Sequence, residues 1–127
     1  MKARVFKPKP KVLLYNVEAN KADCISEICH DNGMEAVRVD KGFCAFTVGY
    51  LCGCAGYDNT LRPCEVSDSE AMIISGAEQA TIDNILSKLR ESNNTVKLKC
   101  IVTAHNQSWT LGKLISELEA ERAKLGG

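Results

Sequence analysis

Two stretches of the chain are apolar almost without interruption: VLLYNV, from Val12 to Val17, and AMIIS, from Ala71 to Ser75. Runs of this length predict strands covered on both faces. MEAVRVD, from Met34 to Asp40, instead mixes charged and apolar positions, with Val37 and Val39 on one side and Arg38 on the other. Val96, Leu98, Cys100 and Val102 likewise alternate with Lys97, Lys99, Ile101 and Thr103. This period of two predicts half-exposed strands, and the charges suit sheet edges, where they discourage pairing with other chains. Helical spacing fills the intervals. Ala22, Ile25, Ile28 and Cys29 share one helical face, as do Ile82, Ile85, Leu86 and Leu89, and near the end Leu111, Leu114, Ile115 and Leu118. Asn20 is the expected cap of the first helix, with Asp23 in its first turn and Gly33 at its end. Asn106, Ser108 and Thr110 are candidate caps for the last.

The predicted order is therefore strand, helix, strand, a long connection, strand, helix, strand and a final helix. The fold class is α+β, as a ferredoxin-like βαββαβ sandwich with an added C-terminal helix: strands one and three central, two and four at the edges. The alternative is an α/β doubly wound parallel sheet, which needs a crossover helix hidden in the long connection. That connection, residues 41–70, is rich in glycine and cysteine and predicts at most a short helix around Thr47 to Cys52. Two helices cover only one face of a sheet whose central strands read as buried on both, so the second face needs a cover. The C-terminal helix, the folded-back connection or a second copy of the chain are the candidates, and the last makes a homodimer through the sheet face an expected partner arrangement.

The 127 residues suit one domain, expected over 11–127. Residues 1–10 are expected to form a basic, flexible leader carrying Lys2, Arg4, Lys7 and Lys9, with Pro8 and Pro10 opposing regular structure. Sixteen basic residues balance 16 acidic ones, so no overall field draws the chain to nucleic acid, which is not expected as a partner. No stretch approaches the roughly 20 apolar residues of a membrane helix, and the leader lacks a secretory core. A cytoplasmic location without membrane association is the expectation. The 7 cysteines are odd in number and follow no export signal, which argues against a disulfide framework.

Four of those thiols, Cys44, Cys52, Cys54 and Cys64, fall in the long connection. Thiolates in a glycine-rich loop are what zinc or an iron–sulfur cluster requires, but one C-x-C with two outlying cysteines lacks the paired C-x-x-C spacing of such sites. Small residues packing in a tight loop is the preferred reading, so no cofactor is expected; a metal on these four cysteines or a redox pair at Cys52 and Cys54 is the alternative. His30 is explained by the helix end that it occupies. His105, just past the fourth strand in TAHNQSW, has no nucleophile or carboxylate pattern around it that identifies a triad. Phosphate-loop, dinucleotide, zinc-protease and nucleophile-elbow strings do not occur, and no catalytic residue is assigned.

TAHNQSWTLGKLISELEAER, together with LLYNV near the start and IISG before the second long helix, resembles a bacterial family known as domain of unknown function 3783, over about Lys11 to Arg122. Thr103, Asn106, Trp109 and Leu114 carry the resemblance most specifically, and Gly49, Tyr50 and Leu51 add a weaker middle match. The resemblance implies a bacterial, cytoplasmic protein and supplies no activity or ligand; the loop cysteines stand outside the family's pattern. The functional expectation is a non-enzymatic binding or regulatory module, by analogy with ferredoxin-like sheets that expose a face or edge to ligands. A thiol-based metal or redox site in the 44–64 loop is the alternative.

Overall fold

The computed structural model describes residues 9–124; the expected leader lies almost wholly outside them. β1 (Lys11–Tyr15) leads through α1 (Ala19–Asp31) to β2 (Glu35–Val39). A single 3-10 turn at Lys41–Phe43 and a short helix, α2 (Val48–Leu51), follow. β3 (Ala71–Ser75), α3 (Gln79–Glu91), β4 (Leu98–Ile101) and α4 (Leu111–Lys124) complete the order.

The four strands form one mixed sheet in the order β2-β1-β3-β4. β1 runs parallel to β2, antiparallel to β3, and β3 parallel to β4. The central and edge strands are those the apolar pattern indicates, but the ferredoxin-like order does not hold. In that arrangement β2 would lie beside β3 through a tight hairpin, and each βαβ unit would be split by a strand of the other. Here the connection from Val39 to Ala71 is long enough to free β2 from β3, and α1 and α3 each return the chain to the strand next to the one it left. The doubly wound alternative also fails, because the central pair is antiparallel.

Both faces of the central strands are buried. Val12 and Leu14 of β1, with Met72 and Ile74 of β3, face Ala22, Ile25 and Cys29 of α1 and Ile82, Ile85 and Leu89 of α3. Leu13, Tyr15, Ala71 and Ile73 point the other way, toward Leu111, Leu114 and Ile115 of α4 and toward Cys44, Val48, Cys52 and Cys54. The second face is thus covered from within the chain, by α4 together with the folded-back connection.

The first helix starts differently from expectation. Glu18, not Asn20, is its cap, its carboxylate accepting from the backbone N–H of Asn20 and Lys21 at 3.1 Å each. Asn20 sits inside the first turn, and Gly33 follows the helix end with a φ of 75. The short helix expected near Thr47 is present, capped by the Thr47 hydroxyl, which accepts from Tyr50 N–H at 3.2 Å. Cys52 and the left-handed Gly53, with φ 73, end it after one turn.

Candidate binding groove

The chain leaves β4 through a compact corner. Thr103 N–H donates to Asn106 Oδ1 at 2.9 Å while Asn106 N–H donates to Thr103 Oγ1 at 3.1 Å. Asn106 Nδ2 also donates to the Ile101 carbonyl at 3.1 Å, and the residue is buried. Thr103 and Asn106 therefore serve to turn the backbone. The cap of α4 is Thr110, whose hydroxyl accepts from Lys113 N–H at 3.2 Å. Leu114, one turn on, is buried in the core of that face.

The corner presents Trp109 half-buried at the surface. His105 meets its ring edge-on at 5.2 Å between centroids, and Lys113 Nζ lies 4.6 Å from the ring centroid on the next turn. A cation over an indole face is held by the ring's quadrupole. The connection closes the other side. Arg62 N–H donates to the Ala45 carbonyl at 3.0 Å, and Ser116 Oγ donates to Glu65 at 2.7 Å. Between the two walls runs a groove of about 770 Å³ whose lining includes Arg62, Cys64, Glu65, Trp109, Lys113 and Glu117. Its dimensions fall in the range of small-ligand sites, with an aromatic wall and a few charged groups.

Of the loop cysteines only Cys64 lines this groove. Cys44, Cys52 and Cys54 are buried and Cys64 is partly so. Cys44 Sγ donates to Tyr15 Oη at 3.3 Å, and that phenol donates to the Ser67 carbonyl at 2.6 Å. Burial first, and then the Cys44 thiol, push the Tyr15 phenol far above its usual range. Burial likewise raises the Cys52 thiol to about 11, and raises Cys54 and Cys64. Cys54 adds to the rise at Cys52, and Cys44 to that at Cys64. Among the described residues no three His, Cys, Asp or Glu side chains gather as metal ligands. Burial at Cys52, Cys54 and Cys64 favours the protonated thiol over the thiolate.

His30 ends α1, in its last turn, as expected of a helix-end histidine. His105 supports Trp109. In the sequence Trp109 stands out only through the family resemblance; the groove needs Arg62 and Glu65 as well, and no periodicity in the loop marks them. No helix among the described residues is long and apolar enough to cross a membrane.

Neither the curated proteins nor the solved structures contain a match to the chain. Residues 70–125, a stretch that runs from β3 through α4 and takes in the Thr103–Asn106 corner and the Trp109 wall of the groove, match the family model described as Domain of unknown function (DUF3783).

Proposed function

We propose that the chain is a non-enzymatic binding module whose ligand seat is the groove between α4 and residues 62–65. The observation that carries this reading is the placement of Trp109, with Lys113 on its ring and Arg62 in the opposite wall of a cavity of about 770 Å³. A ligand suited to it has a flat or apolar body to lie on the indole and an anionic group for the two cations; aromatic carboxylates are the simplest such class. Trp109 is the single tryptophan, so its fluorescence reports the groove directly. Titration with a panel of aromatic carboxylates is expected to give a saturable change in that emission, weakened at least several-fold in Lys113→Ala. A panel that binds nowhere, or binds without response from Trp109 or Lys113, would end this reading.

A thiol site in the 44–64 loop is a second reading, favoured only by the four thiols that fall in that loop and by the C-x-C spacing of Cys52 and Cys54. Elemental analysis and an ultraviolet–visible spectrum of protein purified without oxygen or chelator decide it. Stoichiometric zinc or iron that is lost on Cys52→Ser/Cys54→Ser substitution would move the function to the loop.

A further inference from the structure

The two halves of the chain repeat one another. Lys11–Tyr15 and Ala19–Asp31 of the first answer to Ala71–Ser75 and Gln79–Glu91 of the second, an offset of 60 residues at every strand and helix end. The same offset relates the left-handed residues Asn16 and Gly76, with φ 56 and 67, and Gly33 and Asn93, with φ 75 and 59. It relates the buried helical positions Ala22, Ile25 and Cys29 to Ile82, Ile85 and Leu89. It also relates the bonds that close the helices, Met34 N–H to the Cys29 carbonyl at 2.9 Å and Asn94 N–H to the Leu89 carbonyl at 2.8 Å. From β2 and β4 onward the offset becomes 63, as Glu35 and Leu98 pair with the equivalent Lys11 and Ala71, and it is carried on by Thr47-Val48-Gly49-Tyr50-Leu51 against Thr110-Leu111-Gly112-Lys113-Leu114.

The halves meet by a pseudo-two-fold axis. At the centre of the β1–β3 ladder Leu13 pairs with Ile73, its own equivalent, while Val12 pairs with Ile74 and Leu14 with Met72. Thr47 forms a bridge with Thr110, again equivalents. Around that bridge the bonds are reciprocal: Val48 N–H to Trp109 carbonyl at 2.8 Å and Leu111 N–H to Phe46 carbonyl at 2.9 Å. Farther out, Gly49 N–H donates to the Gln107 carbonyl at 2.7 Å and Gly112 N–H to the Cys44 carbonyl at 3.1 Å. Reciprocity of this kind is the property of an isologous contact, the surface that joins identical copies in a two-fold dimer.

We infer that the chain is a fused pair of copies of one βαβ-helix unit, the second copy being the segment the family model matches, and that the seam between them is an isologous surface whose fitting partner is another copy of that unit. The groups on the axis accept their own kind: an isoleucine against an isoleucine is apolar packing, and a threonine hydroxyl both donates and accepts. Space allows it too. α4 packs on β4 of its own half, whereas in the first half Cys52 and Gly53 stop the equivalent helix after one turn and the connection covers the β2 side. A second α4 would take that side.

The test uses the whole chain. A protease site is inserted between Asn59 and Thr60, both exposed, and the protein is folded, checked against the parent by circular dichroism, and cut. Native mass spectrometry is expected to show the two fragments held together, and then, on incubation at high concentration, a species containing two C-terminal fragments. Fragments that separate into monomers, or complexes that only ever hold one of each, would overturn the inference. Should the insertion disturb folding, the same site between the exposed Ala55 and Gly56 gives the same reading.

Discussion

Gly112 occupies the tightest glycine position among the described residues. A β-carbon there would stand 1.9 Å from the Glu65 carbonyl oxygen and 3.2 Å from the Cys64 β-carbon, so backbone must yield. At the equivalent Gly49 the nearest obstacle, at 2.6 Å, is the Tyr57 ring, a side chain that can swing, although the Gln107 carbonyl stands behind it at 2.9 Å. Gly112→Ala is therefore expected to cost about 1–3 kcal/mol, more than Gly49→Ala, and to expose Cys64; chemical denaturation and the labelling rate of Cys64 measure both effects. Buried thiols set a pH limit as well. Burial raises Cys29 and Cys52 from an ordinary 9.0 to about 11. Below pH 9 both folded and unfolded chains keep these protons. Between 9 and 11 the unfolded chain releases them and the folded one does not, so stability should fall by on the order of 1 kcal/mol per pH unit per thiol before levelling off above 11. Urea midpoints across that range in the parent and in Cys52→Ala separate this contribution from that of other groups. At this scale Thr103 and Asn106 act on each other locally, within reach of the sequence, whereas the roles of Gly112 and Trp109 depend on Cys64, Glu65 and Arg62, which arrive from far away in the chain.

Among the elements, the two long helices share length and buried face yet start unlike one another. Glu18 accepts two N–H bonds at the start of α1, whereas Glu78, at the corresponding place before α3, makes none. Glu18→Ala is expected to cost about 0.5–1 kcal/mol and Glu78→Ala to be close to neutral, which paired denaturation curves would show. Residue type misled here, since Asn is the better cap in general and stands two positions later, but the buried face of α1 begins at Ala22 and the strand ends at Tyr15, and these fix where the first turn must lie. Strands and helices were otherwise legible. Apolar runs marked β1 and β3, alternation marked β2 and β4, and heptad-like spacing marked α1, α3 and α4, because burial of a face is recorded locally as a period. Even α2 falls within the short helix expected around Thr47 to Cys52.

As a whole molecule the chain has two apolar layers, one on each side of the same sheet, and each strand of the central pair contributes to both. Neither half can lose its partner without exposing both layers. Unfolding should accordingly be a single transition, with Trp109 fluorescence and far-ultraviolet circular dichroism tracing superimposable curves; separated curves would mean that the halves are independent. The sequence alone determined the α+β class, the number and order of long elements, and which strands are central, because those follow from local patterns of burial. Tertiary structure decided which edge β2 occupies, since an alternating strand satisfies either edge equally and the long connection removes the hairpin that would have chosen. It also decided what covers the second face, how the cysteines divide, and that Arg62 and Glu65 meet Trp109. Those outcomes depend on contacts between segments far apart in the chain, and no period within either segment records them.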